Sequence, residues 1–487
     1  MEDASKAGTL ASLSGWQASF INRVMPVLRA GDEDSWRAGS ANSRIFSAIL
    51  TVGGMTILVK LVSTAKEVVV AHQFGVGDGL DAFLIAFLLP SVAINIIAGS
   101  FNAALIPTYI QIRDQQGKEA AQRLFSSVMI CSGLLLIIIS LLMALAAPRA
   151  LESLGSGFGP EKLALTRKLF YMLLPILPLS GMFVTWSAVL NAGGRFALAA
   201  ISPMMTPLIA IVVVREFSAS SGIYSLAVAM VAGVILEGTI LAAALRRQGI
   251  SIIPRWRGFD PATKQVMGQY APMIVGGCLM SSSGLVDQAM AAMLSPGSVS
   301  ILSYGNKVSS VVIGVCSIAL STAVLPQFSS MVAAHHWTAV RNTLKTYTRL
   351  TLIATLPLTL VLVLMSRLLV GVLFQHGAFS ESNTMAVASV QSMYILQLPF
   401  YVTGMLFVRL ISALKGNQVL MWGASISFLV NIVMDYLLMN SIGVAGIALS
   451  TSIVYLVSLT YLSLTSMRLL RRSELKEEVS LNSQKLL

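Results

Sequence analysis

Apolar residues run in long blocks from Ile45 to Leu470, separated by short polar stretches. The blocks follow neither a two-residue alternation nor a narrow helical stripe. Runs of 18 or more residues that are apolar all round predict helices able to cross a hydrocarbon core roughly 30 Å thick. About twelve spans are expected, near 45–74, 80–112, 123–147, 169–191, 197–215, 223–245, 265–294, 298–328, 346–374, 384–414, 418–439 and 442–467. Several exceed the ~20 residues that one crossing needs, which predicts tilt or extension into the headgroups. The predicted class is an all-α polytopic membrane protein. A β-barrel would instead show short alternating segments. Prolines at 90, 175, 178, 203, 207, 272, 357 and 399 fall inside spans. Each removes a backbone hydrogen bond and is a candidate kink.

The pattern also divides the chain. The longest basic loop, Arg246 to Lys264, follows the sixth span. NAALIPTYIQ (102–111) resembles STAVLPQFSS (321–330), and GMFVTWSAVLNAGG (181–194) resembles GMLFVRLISALKGN (404–417), at nearly equal offsets. Such repeats predict two six-helix lobes, with a substrate site near their junction. The expected organisation is a cytoplasmic N-terminal extension (1–44), a first lobe (45–247), a basic cytoplasmic linker (248–264), a second lobe (265–470) and a cytoplasmic tail (471–487). Lys and Arg concentrate in alternate loops. The loops 295–298, 374–383 and 440–443 carry none, while 148–168 is an exception with four. The balance predicts both termini inside a cytoplasmic membrane.

Composition sharpens the class. Of 487 residues 55% are hydrophobic and 11% charged, with a mean hydropathy of +0.79. The net charge of +12 reads as a topology signal in the loops, not as a nucleic-acid surface. The three cysteines have no ligand spacing, and the four histidines make poor metal ligands. No phosphate-binding P-loop, zinc-protease helix or nucleophile elbow occurs, so no catalytic residues, metal site or cofactor are expected. The first 44 residues lack the apolar core of a cleaved signal. Within them Trp16 to Leu28 fits an amphipathic surface helix or a disordered tail equally well.

Charges inside apolar spans are the candidate chemistry, because ionisable groups in a bilayer are costly and face protein or a wet cavity. Lys60, Lys66 and Glu67 lie in the first span. Lys60 and Lys66 are about 120° apart on a helix and fit one broad wall. Lys66 and Glu67 are neighbours in sequence, so a tight ion pair between them is not expected. Lys307, preceded by Asn306, occupies the eighth span, and Arg409 the tenth. Together the cations form an interior suited to a diphosphate. For Lys60 and Arg409 the plainer alternative is snorkelling to the cytoplasmic headgroups, and Lys66 and Lys307 are the better cavity candidates. Asp81 follows a Gly-rich turn and reads as a cap for the second helix or as a functional carboxylate. Asp287, deep in the seventh span, is expected to pair with a cation or take a proton. Asp435 is expected near the outer end, in reach of solvent.

FGVGDGLDAFLIAFLLPS (74–91), FNAALIPTYIQI (101–112), SVSILSYGNKVSSVVIGVCSIALSTAVLPQFS (298–329) and LFQHGAF (373–379) resemble the MurJ/MviN family of lipid II flippases, over about Ile45 to Met467. The resemblance implies the multidrug/oligosaccharidyl-lipid/polysaccharide exporter superfamily, with two lobes around a central cavity that opens alternately to either side. It implies that Lys60 and Lys66 stand where the family has diphosphate-binding arginines. Asp81 matches the family's acidic residue, Asn306 and Lys307 match its Asp-Arg pair, and Arg409 matches a basic position. Ile94 and Asn95 replace a family Arg pair, and the family's two further C-terminal helices have no counterpart among the twelve spans.

The expected function is therefore a flippase for an undecaprenyl-diphosphate-linked saccharide, either lipid II or an envelope-glycan repeat unit. It would work as a monomer among membrane lipids, coupled to an ion or the membrane potential. A cation-coupled multidrug exporter of the same superfamily would want an acidic cavity. A membrane glycan polymerase or ligase would want a large outer loop with acidic or His residues.

Overall fold

The structure is a computed structural model and describes residues 41–485 apart from 256, 257, 259 and 260. Most of the expected N-terminal extension, with its Trp16–Leu28 segment, and part of the basic linker lie outside the described residues. Twelve helical passes follow one another among the described residues, and none of those residues is in a strand.

The first lobe's passes begin with α1 (Ala41–Phe74), α2 (Asp78–Gln116) and α3 (Lys118–Leu154). Three more follow: α4 (Pro160–Leu173) with α5 (Ile176–Ala192), then α6 (Phe196–Ile201) with α7 (Met205–Ser221), then α8 (Tyr224–Arg247). The later passes are α9 (Pro261–Ala292), α10 (Ser298–Ala333), α11 (Trp337–Leu364) with α12 (Ser366–Phe374), α13 (Glu381–Ile395) with α14 (Leu398–Ala413), α15 (Asn417–Ile442) and α16 (Val444–Lys485). Ten passes are long and apolar enough to cross a membrane by length and composition among the described residues. The other two are α1, which carries Lys60, Lys66 and Glu67, and α9, which is described in part.

Three of the expected proline kinks are breaks between helix segments. Pro175 separates α4 from α5, Pro203 sits in the 3-10 turn Ser202–Met204 between α6 and α7, and Pro399 opens α14. At each the missing N–H and the ring clash interrupt the ladder. Pro90 and Pro357 instead remain inside continuous helices.

The side chains sort by solvent. On α3, Leu134, Ile138, Leu141 and Leu145 recur every three or four residues and are exposed, Leu145 at 80%. A helix face so apolar and so open is one that lipid would cover. Leu124, Val128 and Leu136 on the same helix are fully buried.

Among the described residues the buried apolar groups form two clusters. The larger runs unbroken from the first six passes into α10, α12 and α13, through Val70, Ala82, Val299, Tyr304 and Phe374. The smaller, built on Phe328, Leu344, Leu410 and Leu470, belongs to the last six passes alone and lies at their opposite end. The two sets of passes thus share one core at the end where α2 and α10 begin, and keep separate cores at the other. We call the first the joined end. The seventh pass bridges the sets, since α9 packs on α2 and α3 as well as on α15.

Glycines allow the close approach at the joined end. Gly75 has φ +59°, and a Cβ there would stand 2.4 Å from the Ala378 carbonyl oxygen. Gly377 has φ +60°, and its Cβ would stand 2.4 Å from the His72 carbonyl oxygen. The Ala378 N–H donates to that same His72 oxygen at 2.9 Å. The FQHGAF segment is therefore fastened to the end of α1.

Candidate functional site

Two positively charged side chains from different lobes meet on one carboxylate. Glu67 Oε1 lies 2.6 Å from Lys66 Nζ and 3.0 Å from Lys307 Nζ. Lys66 and Glu67 side chains are about one-fifth exposed (19% and 18%), and Lys307 is at 32%. The cluster is half-buried between α1 and α10. The Lys66–Glu67 pair corrects the sequence expectation that neighbours would not pair. Their Cα positions diverge around the helix, but the long lysine stem bends back, and Lys307 fixes the carboxylate where both ammoniums reach it. Beside Lys307 is a cavity of about 140 Å³, lined by Gln288, Asn306, Ser310 and Tyr394 among others. Asn306 Oδ1 accepts from Ser309 Oγ at 2.8 Å, which holds its amide at that wall.

Asp81 does something neither sequence reading foresaw. It lies in the first turn of α2 but caps a different helix. Its carboxylate accepts from the Gly297 N–H at 2.7 Å, the Ser300 N–H at 2.8 Å and Ser300 Oγ at 2.7 Å. Gly297 is the N-cap of α10 and has no side chain to offer, so Asp81 satisfies the amides that the helix start leaves open. Negative charge at that position also complements the helix dipole. Lys162 on α4 completes the group, 2.8 Å from Asp81 and 2.7 Å from Asp78, with its Nζ 3.9 Å above the Phe158 ring. Asp81 is 1% exposed. A buried carboxylate with this many donors ties α2, α4 and α10 together at the joined end.

A second acidic group lies wholly among the later passes. Asn431 Nδ2 donates to Asp287 Oδ1 at 2.9 Å and to Asp435 Oδ2 at 3.1 Å. Asn431 and Asp435 are one turn apart on α15, and Asp287 comes from α9. Asp435 is fully buried, which corrects the expectation of a solvated position near the outer end. Packing of α15 against α9 and α16 covers it. One amide thus holds two carboxylates in an apolar interior, an arrangement suited to taking up a proton or a monovalent cation.

The structure therefore brings together Lys66, Glu67 and Lys307, with Asn306 on the adjoining wall. Lys60 is exposed on α1, and Arg409 is half-buried on α14. Neither joins the ion pairs on Glu67. Ile94 packs against the larger core, while Asn95 is exposed. Sequence reasoning missed Lys162, which sat in a loop counted only for topology. It also missed Ser300 and Asn431, polar residues with no charge to mark them.

Comparison with known proteins accords with this architecture. A family model described as "Lipid II flippase MurJ" matches residues 70–483. The "Probable lipid II flippase MurJ" of Rhizobium meliloti (strain 1021) is 28% identical over 407 residues, 82% of this chain and 76% of that protein. A solved structure described as "Lipid II flippase MurJ, inward closed conformation" superposes with a TM-score of 0.75 at 21% identity, covering 90% of this chain and 92% of that one. An inward-facing multidrug resistance MATE family transporter of the MOP superfamily has the same TM-score, 0.75, at 12% identity, covering 88% and 99%. The two structures speak for the shared transporter fold, and the family match extends over most of the sequence. This chain belongs to the MurJ family of lipid II flippases.

Proposed function

We propose that the chain translocates an undecaprenyl-diphosphate-linked saccharide, lipid II or a related envelope-glycan unit, across the bacterial cytoplasmic membrane by alternating access. Lys66 and Lys307 bind the diphosphate, and Glu67 is their counter-ion when the site is empty. The reading rests on that shared carboxylate, with one lysine from each lobe on a single oxygen. A diphosphate entering between the lobes replaces Glu67 as partner to both ammoniums, in surroundings where charge pairs are stronger than in water. No bond is made or broken, and the chain acts as a transporter, not an enzyme. Lys60 and Arg409 guide the headgroup toward the pair.

The lobes, 45–247 and 265–470, rock about the joined end. We place that end on the outer face, with both termini in the cytoplasm. Support comes from the basic loops that gather at the opposite end. Asp287, Asn431 and Asp435 carry the coupling to an ion or the membrane potential, and the monomer is the working unit. The multidrug-exporter reading needs acidic groups open to a cationic drug. Glu67 is engaged by two lysines, and Asp81 is spent on α10 and Lys162.

The test is complementation of a lipid II flippase depletion, read as lipid II accessible on the outer face. Lys66→Ala and Lys307→Ala should each abolish translocation while the protein remains folded in the membrane. Full activity in both variants overturns the cationic site.

A further inference from the structure

We infer that the chain carries a second phosphate-binding site, on the first lobe and apart from the Glu67 cluster, that takes a diphosphate-type polyanion. A cavity of about 820 Å³ opens where α2 ends, α3 begins and the segment after α8 folds back. Six cations line it: Arg113, Lys118, Arg123, Arg195, Arg247 and Arg255. Glu119 is the one carboxylate among the lining residues. None of the lining residues comes from α1 or α10, so this is not the Lys66–Lys307 site.

Basic residues placed only to set topology need merely lie near the membrane surface. These converge on one concavity whose walls are fastened. Gln122 Nε2 donates to the Ser251 carbonyl at 2.9 Å, and the Ser251 N–H donates back to Gln122 Oε1 at 3.1 Å. That reciprocal pair holds the segment leading to Arg255 against α3. Arg113 is aimed by its bond to the Ala192 carbonyl at 2.7 Å and by Asp114 at 3.0 Å.

A second feature points to an anion. The 37-residue helix α3 begins at this cavity behind Gly117, which gives it no side-chain cap. Its open amides and the positive end of its dipole face the same place as the arginines. The guanidinium forks suit phosphate oxygens, and so large an excess of positive charge suits two phosphates better than one. Two sources offer that chemistry: the headgroup of a diphosphatidyl lipid, reached from the membrane surface, or a soluble diphosphate.

The experiment uses the full chain with Lys307→Gln as the parent, which takes the central lysine out of the measurement, and adds Arg123→Gln/Arg255→Gln or Arg123→Lys/Arg255→Lys to it. Inorganic pyrophosphate is titrated calorimetrically against the protein in detergent. Nanodiscs with and without cardiolipin are read by native mass spectrometry. Thermal unfolding confirms that the rim variants are folded. The Lys307→Gln parent should still bind at the rim cavity, and adding the double Gln change should weaken that binding about tenfold or more. The double Lys variant should fall between, with rising salt weakening binding throughout. Binding of pyrophosphate alone assigns a soluble ligand, and binding of cardiolipin alone assigns the lipid. Binding of neither probe by the Lys307→Gln parent, or equal binding once the double Gln change is added to it, overturns the site.

Discussion

The carboxylate of Asp81 accepts both the backbone N–H and the side-chain hydroxyl of Ser300, a residue 219 positions later in the chain, at 2.8 and 2.7 Å. One side chain on the second pass thereby caps the eighth. The start of α10 cannot move from α2 without breaking these bonds and parting Asp81 from Lys162. The contact is a latch at the joined end, and it lets the stability of that end be tested residue by residue.

Asp81→Ala should leave the Lys162 ammonium and the α10 amides without their buried acceptor. Removing one partner of such a pair costs on the order of 3 kcal/mol. The thermal unfolding midpoint in detergent should fall, and disulfide trapping between cysteines introduced in the 155–159 and 293–297 loops should become less efficient. Asp81→Asn, which keeps an acceptor oxygen, should lose less. A wild-type midpoint in Asp81→Ala would mean that the latch contributes nothing.

Glu67→Gln should strengthen anion binding while slowing turnover. The variant removes the internal anion that a diphosphate must displace from Lys66 and Lys307. Affinity for a diphosphate lipid should rise by roughly threefold to tenfold, the size of one charge-assisted contact. Equilibrium binding in detergent measures the first effect and a single-turnover flipping assay the second. Unchanged affinity would remove Glu67 from the competition.

Asp287→Asn should uncouple transport from the ion gradient. Translocation in proteoliposomes should then proceed at the same rate whether or not a sodium or proton gradient is imposed, whereas the wild type responds to one of them. Asn431→Leu should be worse for stability, because it strips two buried carboxylates of their shared donor, a loss of about 2 kcal/mol or more. A gradient response retained by Asp287→Asn would move coupling elsewhere.

Gly75→Ala and Gly377→Ala should each loosen the joined end. Both positions combine a positive φ with a neighbouring carbonyl oxygen 2.4 Å from any Cβ. Strain of about 1–3 kcal/mol is expected at each site. Spin labels on the 75–77 and 375–380 segments should report a longer distance between them in both variants. Unaltered distances would show that the His72–Ala378 contact does not hold the end shut.

The helices were legible because their cause is local. A block of apolar residues of sufficient length is a membrane helix whatever its neighbours, and Pro175, Pro203 and Pro399 fall at breaks between helix segments, although Pro90 and Pro357 do not. The candidate lysines were legible because a charge in an apolar run is conspicuous. Lys162 was hidden because a loop lysine looks like any other topology signal. Asn431 and Ser300 were hidden because uncharged polar residues are common in membrane helices.

The sequence alone determined the class, the twelve passes, the likeness between the halves and the presence of Lys66, Glu67 and Lys307, since each depends on composition and spacing along one chain. Only the tertiary structure decided the partners. That Glu67 answers two lysines, that Asp81 caps α10 instead of its own helix, and that Asp435 is buried beside Asp287 all depend on which helices pack together. Hydrogen bonds and ion pairs act over about 3 Å, and no local spacing fixes which distant residues come within that reach.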